Sequence, residues 1–331
     1  MDLAERIAIM AQLGKYLAEN DEELKAATQK AFEKNKWFTS EFVDHAFKNI
    51  AEYYLDEEKL KNWVEYYHID DNIRAQKIGI VMAGNIPLVG FHDFLSVFIS
   101  GHQQIIKLSE KDDVLLPFLF EKMKQWNAKV SSLIRTGEML KDCDAYIATG
   151  SNNSTRYFHR YFGKYPSVIR NNKTSVAVLS GNETEEQLSL LADDVYIYFG
   201  LGCRNVTKLL VPENYNFEKL LNAFKKYDYL KDITKYRNNY DYNLALFIMN
   251  NKYYMANETI ILSENENIFS PVSVLHYEFY KNKENVAERL NADENIQCIV
   301  SEDHVPFGQS QAPDLFDYAD EIDTMEFLLG L

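Results

Sequence analysis

The chain has 331 residues, enough for about two domains, and its 46% hydrophobic and 14% aromatic content suits packed cores and argues against disorder. A formal charge of -15 argues against nucleic acid and anionic membrane surfaces as partners, because both are recognised through a basic footprint. The three cysteines, Cys143, Cys203 and Cys298, are widely spaced and lack a C-x-x-C pattern. That argues against a disulfide framework or a cysteine zinc site; no metal is expected, and the cytoplasm is the default compartment.

Met1-Asp2-Leu3-Ala4-Glu5-Arg6 opens an amphipathic helix and not a charged-then-apolar leader. Ile7, Met10, Leu13 and Leu17 recur at helical spacing, Asn20 with Glu23 offers a cap for the next helix, and Ser40 to Tyr67 continues the helical pattern. Residues 1–67 therefore read as a helical scaffold. The most apolar stretch, Ile78 to Gly101, is interrupted by Asn85, Pro87, His92 and Asp93, so no membrane span is expected.

After Asp71 the texture changes. Lys77 to Ala83 is a short apolar run closed by Gly84-Asn85-Ile86-Pro87, the form of a buried strand ending in a turn. A helix is expected over Val89 to Ile99, a strand over Gln104 to Leu108, a helix over Val114 to Trp126, and a strand at Ala145 to Ala148 stopping at Thr149-Gly150-Ser151. Alternating strands and helices predict βαβ units and a doubly wound parallel sheet. Ligands of such sheets sit beyond the carboxyl ends of the strands, where Asn85, Lys107 and Gly150-Ser151 fall.

A second unit is expected from Lys173. Thr174 to Leu179 reads as a strand, and Thr184 with Gln187 has the capping-box form. Leu188, Leu191, Ala192, Val195 and Phe199 then share one helical face. The helix runs into Gly200-Leu201-Gly202-Cys203-Arg204-Asn205, and Val206 to Val211 is strand-like. Lys225 to Tyr254, rich in Tyr, Asn and Lys, carries no readable role. The domains expected are 1–67, 68–172 completed by 1–67 and 301–331, and 173–300 carrying the nucleophile.

Most lone cysteines are small buried hydrophobes, and Cys143 and Cys298 read that way. Cys203 differs: it follows Gly-x-Gly at a helix end, where the backbone can turn sharply, and neighbouring Arg204 favours the thiolate. The two glycines do not make a dinucleotide fingerprint, because the third is absent and the helix precedes them. Seven histidines leave a cysteine–histidine protease open, with His92-Asp93 and Asp303-His304 as the suggestive dipeptides. Asn85 before Ile-Pro can equally be a turn residue, and Lys107 an ordinary solvated charge. Arg170, Lys173, Arg204 and Lys208 are candidates for a local basic patch that would meet phosphates, or equally ordinary surface charges, the reading preferred for Lys208.

Several segments then resemble the aldehyde dehydrogenase superfamily in shared order. Gly84-Asn85-Ile86-Pro87-Leu88 resembles P-W-N-x-P-L, Lys107-Leu108-Ser109-Glu110 resembles K-x-x-E, and Thr149-Gly150-Ser151 resembles F-T-G-S. Gly200 to Cys203 resembles G-Q-x-C, Asn267 to Val272 resembles E-I-F-G-P-V, and Val305 to Gly308 resembles x-P-F-G. The fuller strings around Asn85, Cys203 and Phe307-Gly308-Gln309-Ser310-Gln311 look like the acyl-CoA reductases of the LuxC type. The resemblance implies an aldehyde dehydrogenase-like α/β fold, with a doubly wound cofactor domain, a second α/β catalytic domain and N-terminal helices. It implies reduction of an acyl-CoA or related acyl thioester to the aldehyde. Cys203 is then the nucleophile and Asn85 the oxyanion donor, with Lys107, Ser109, Glu110, Gly150, Ser151 and Phe269 against the cofactor. NADPH is expected, with NADH the alternative because Glu110 repels a 2′-phosphate. A homodimer or an acyl-delivering partner enzyme is expected too.

Two departures bear on the chemistry. Where hydrolytic relatives carry the water-activating glutamate of E-L-G-G-K, this chain has Ile169-Arg170-Asn171-Asn172-Lys173, which favours reduction of the acyl-enzyme over hydrolysis. Asn267 stands where the relatives' glutamate holds the nicotinamide ribose. The rival readings are a cysteine-dependent thioester acyltransferase without nicotinamide, and a silent acyl- or nucleotide-binding partner protein.

Overall fold

The computed structural model describes residues 1–71 and 74–331. The expected change of texture after Asp71 therefore falls at positions 72–73, outside the described residues. The chain divides into two compact units, residues 1–172 with 313–331, and residues 173–312.

In the first unit, Asp2 and Glu5 form a capping box that opens α1 (Leu3–Glu19). Asn20 closes this helix in the left-handed conformation, and Asp21 caps α2 (Glu22–Lys34) by accepting the Leu24 N–H at 2.8 Å. The cap expected of Asn20 thus belongs to its neighbour, because asparagine tolerates the positive φ that ends a helix. The run Ser40 to Tyr67 is two helices, α3 (Ser40–Asn49) and α4 (Glu57–Tyr66), separated by a π turn at Ile50–Tyr54. Met10, Leu13, Leu60 and Trp63 are wholly buried in the same core as the sheet residues Ile78, Ile80 and Ile147, so these helices complete the sheet's core. Each large apolar side chain so buried contributes about 1.5–3 kcal/mol.

The sheet of this unit comprises β1 (Lys77–Val81), β2 (Gln103–Lys107), β3 (Ile134–Thr136), β4 (Ala145–Thr149) and β5 (Ser167–Arg170). Between them run α5 (Phe91–Ile99), α6 (Leu115–Trp126) and α7 (Asn152–Phe162). All pairings are parallel, in the order β3-β2-β1-β4-β5. The strand order reverses between β1 and β4, which makes their carboxyl ends the topological switch point.

The second unit contains β6 (Thr174–Val178), α8 (Glu185–Tyr196), β7 (Val206–Pro212), α9 (Phe217–Ala223), α10 (Thr234–Met249), β8 (Met255–Ala256), β9 (Ile261–Glu264), β10 (Val274–Tyr280), α11 (Lys283–Asn291) and β11 (Ile296–Val300). Its sheet runs β11-β6-β7-β10-β9-β8, parallel except for the β8–β9 pair. The capping box of Thr184 and Gln187 opens α8 as its sequence form predicts. The stretch Lys225 to Tyr254 supplies most of a 3-10 run, Phe224–Asp232, and α10. Residues 301–312, expected with the cofactor domain, belong to this unit. The Asp194 carboxylate of α8 accepts the N–H groups of Gly308 at 2.7 Å and Ser310 at 2.9 Å, tying that loop to the helix.

The chain returns to the first unit with α12 (Thr324–Leu329), whose Met325 and Leu328 enter its core. Arg170 at the end of β5 is 3% exposed; it ion-pairs with Asp93 of α5 and donates to the Thr324 hydroxyl at 2.7 Å. This guanidinium therefore ties sheet to helices and is not part of an anion-binding patch. Asp93→Ala, by leaving the cation buried and unpaired, is expected to destabilise the protein by about 3–5 kcal/mol in urea unfolding.

Candidate active site

In the first unit the predicted residues collect on the carboxyl edge of the sheet. Val81 pairs with Lys107 and with Ala148, and the Met82 N–H donates to the Lys107 carbonyl at 3.0 Å. The Gly84–Leu88 loop after β1, the exposed Lys107 that ends β2 with Glu110 beyond it, and Gly150-Ser151 after β4 are thus neighbours at this edge. Ser151 caps α7, accepting the Ser154 N–H at 3.4 Å, so the Gly150-Ser151 turn sits at a helix N-terminus. Asn85 is partly exposed.

The Asn85 loop is held from beneath. A Cβ added at Gly84 would fall 2.6 Å from the Ser109 Oγ, so only glycine lets the two segments touch. Ser109 is packed against the loop at this point. Leu88 takes a left-handed φ of 55°, costly for a residue with a Cβ, while its N–H donates to Asp112 Oδ2 at 2.8 Å. Burial pushes the Asp112 carboxyl up to about 7; the Leu88 N–H opposes this, and the adjacent Asp113 carboxylate, itself paired with Lys34, adds to it.

In the second unit the Cys203 loop is organised by Asn205, which is wholly buried. Its Oδ1 accepts the Gly202 N–H at 2.8 Å, and its Nδ2 donates to the carbonyls of Ile197 at 2.8 Å and Asp194 at 3.1 Å. One side-chain amide therefore closes α8 and shapes the turn into Cys203. The turn is strained: Tyr198, Phe199 and Gly200 are successive left-handed residues, with φ of 56°, 58° and 74°. On the other side of Cys203, the Ser175 hydroxyl donates to its carbonyl at 3.0 Å. Cys203 is partly exposed and Cys143 is buried. Cys298, expected in the core, is also partly exposed, with its Sγ 3.1 Å from the Ser175 Oγ.

The Phe269 loop, which leads from β9 to β10, is bonded to β7 near that strand's amino end. Thr207, four residues past the cysteine, donates to the Ile268 carbonyl at 2.6 Å and so commits its only proton; Thr174 then donates to Thr207, also at 2.6 Å. Asn267 turns back on its own loop, its Oδ1 accepting the Phe269 N–H at 3.0 Å. Lys208, read as a surface or patch cation, is buried and paired with Glu278. The suggestive dipeptides are structural: His92 meets the Leu315 carbonyl at 3.1 Å, Asp93 pairs with Arg170, Asp303 pairs with Lys283, and His304 meets the Ser301 hydroxyl at 2.8 Å. Sequence reasoning missed Asp112, Ser175, Thr207 and His276. Asn205 was visible only as the last letter of the cysteine string.

The family described as acyl-CoA reductase (LuxC) matches residues 1–223. The chain belongs to that family. No curated protein sequence matches it. Among solved structures, aldehyde dehydrogenase 21 from Physcomitrella patens, in complex with succinate, is similar at TM-score 0.64 and 14% identity, covering all of this chain and 84% of that one. An NAD-dependent aldehyde dehydrogenase from Sinorhizobium meliloti is similar at TM-score 0.64 and 13% identity, over 91% of this chain and 70% of that one. An aldehyde dehydrogenase from Bacillus cereus, solved as an NAD+ complex, is similar at TM-score 0.61 and 12% identity, over 89% and 70%. These likenesses give the acyl-CoA reductase family an aldehyde dehydrogenase-like fold in this chain.

Two measurements probe the loops. Asn205→Ala orphans a buried N–H and buried carbonyls, and is expected to cost about 3 kcal/mol in urea unfolding. Asp112 holds its proton to higher pH when folded than when unfolded, so its contribution to stability falls as pH rises from about 4 to about 7. Urea midpoints measured across that window should therefore shift in favour of Asp112→Asn relative to wild type, and the difference should be flat above about pH 8.

Proposed function

We propose that the protein reduces an acyl-CoA, or a related acyl thioester, to the aldehyde through an acyl group carried on Cys203. Family membership supports the reaction class. The observation that carries the mechanism is the grip on the backbone at both sides of the partly exposed Cys203, by the Asn205 amide before it and the Ser175 hydroxyl after it. A nucleophile so fixed attacks along one direction without first ordering its own loop.

In this reading the Cys203 thiolate adds to the thioester carbonyl, the bond to the CoA sulfur breaks, and CoA leaves as a thiolate that takes a proton from solvent, while the acyl group stays on Cys203. The Cys203 backbone N–H and the Asn85 amide hold the oxygen as it gains charge. The Asp112 carboxyl supports the loop that carries Asn85. A bound nicotinamide dinucleotide supplies the hydride that converts the acyl thioester to the aldehyde level. Cleavage of the carbon–sulfur bond then releases the aldehyde and restores the Cys203 thiolate. The stretch from Ile169 to Lys173 offers no carboxylate to activate water, which spares the acyl-enzyme from hydrolysis.

The donor set in the first unit suits a dinucleotide. The N-terminus of α7, opened by Gly150-Ser151, attracts phosphate, and the exposed Lys107 ammonium adds a cation at the same sheet edge. Glu110 beside Lys107 suits ribose hydroxyls and disfavours a 2′-phosphate, which favours NADH; the solved neighbours that are NAD+ complexes lean the same way. Resemblance to the acyl-CoA reductases of the LuxC type leans to NADPH, so both cofactors belong in the assay.

A panel of acyl-CoAs with NADH and NADPH is expected to give stoichiometric cofactor oxidation and aldehyde, and intact mass spectrometry an acyl adduct on Cys203. Cys203→Ala should abolish both, and Asn85→Ala should lower kcat by roughly 100- to 1000-fold. Acyl transfer to an added thiol without nicotinamide oxidation would overturn the reductase in favour of an acyltransferase.

A further inference from the structure

Three successive carbonyls in the loop before β10 each accept a hydrogen bond from a different side chain. Lys208 Nζ donates to Glu266 at 2.7 Å, His276 Nδ1 meets Asn267 at 2.8 Å, and the Thr207 hydroxyl donates to Ile268 at 2.6 Å. A carbonyl cannot donate, so His276 carries its proton on Nδ1. The donors are 2%, 6% and 9% exposed, whereas Glu266 and Asn267 are exposed. Exposed and partly exposed residues thus turn their successive carbonyls inward onto buried donors, which fixes the backbone of this segment against the sheet.

Burying such donors is costly. Lys208 puts an ammonium inside a central strand, where it is tolerated because Glu278 of β10 pairs with it and Arg289 of α11 pairs with the other Glu278 oxygen at 2.6 Å. The register brings the donors together: Lys208 pairs with His276 across β7 and β10, and Thr207 adjoins Lys208. The loop adds its own bonds, with the Asn267 and Phe269 N–H groups donating to Asn265 and Asn267 side chains, both at 3.0 Å. The residue delivered by this fixed segment is Phe269.

We propose that Thr207, Lys208 and His276 are positioning residues for the reductive half of the reaction. They clamp the backbone of 266–268 so that Phe269 meets the nicotinamide ring in a set orientation, in a loop that lacks the relatives' glutamate. The inference rests on the reductase reading above. It separates the two halves of the reaction: transfer of the acyl group to Cys203 needs no nicotinamide and so does not need the clamp, while the reduction that follows does.

The test compares Thr207→Val, which keeps shape and loses the donor, with Thr207→Ser, which keeps the donor, and adds His276→Leu. Acyl adduct formation on Cys203 is followed by intact mass spectrometry, reduction by single-turnover NADH or NADPH oxidation, and dinucleotide affinity by quenching of protein fluorescence. Exchange of the 265–270 amides is followed by hydrogen–deuterium exchange without cofactor. For Thr207→Val and His276→Leu the expected result is adduct formation within about twofold of wild type and reduction slowed roughly 10- to 100-fold. Weaker dinucleotide binding and faster 265–270 exchange should accompany this, and Thr207→Ser should behave as wild type. Equal slowing of both halves, in folded protein, would assign these residues a merely structural role and overturn the clamp alone, as would unchanged reduction. A wild-type protein that takes no acyl group on Cys203 overturns the reductase reading, and the clamp with it.

Discussion

The buried amide of Asn205 is the constraint on which the Cys203 turn depends. Its oxygen takes an N–H from the residue before Cys203, and its nitrogen serves carbonyls left open at the end of α8. A helix end leaves several carbonyls without intrahelical partners, and a buried one is costly. By meeting that need with a side chain two residues past the cysteine, the fold makes the helix end and the Cys203 turn one structure. Three successive left-handed residues are kept in place there, and the strain they carry is tolerable only where packing and hydrogen bonding over-determine the turn.

Charge is distributed in an instructive way. The chain is strongly acidic, yet two of its basic groups are buried and committed to internal pairs, Arg170 with Asp93 and Lys208 with Glu278. Sequence reasoning counted both among candidates for recognising phosphate. Their burial removes both from that role; Lys107, by contrast, is exposed at its strand end. Two carboxyls are handled in the opposite sense: Asp112 and Asp194 sit under motif loops, where burial pushes them up to about 7 and about 6. Both accept backbone N–H groups from those loops.

Much of the fold was legible because its signals are local. The apolar runs at β1, β2, β4, β6 and β7, and the capping box of Thr184 and Gln187, lie in short windows and appear within a residue or two of where they were expected. What escaped depends on partners far along the chain. Nothing local distinguishes the Asp112 that caps a left-handed leucine from the adjacent, salt-bridged Asp113, and nothing local places His276 beside Lys208 until the register of β7 and β10 is known. Cys298 was read from its apolar neighbours, but an irregularity in the β11–β6 pairing between Ile296 and Ile299 changes the alternation there, and the thiol is partly exposed. The motif strings gave the order of the site residues; the supports beneath them are three-dimensional.

The close approach of Gly84 to Ser109 has an evolutionary corollary. The two positions lie in different motifs, yet they share one small volume, so a lineage that enlarges either must shrink or displace the other. They should therefore co-vary as a single steric choice across descendants of this sequence. A variant with alanine at 84 should be recovered by glycine at 109 more readily than by any change in the Asn85 loop itself.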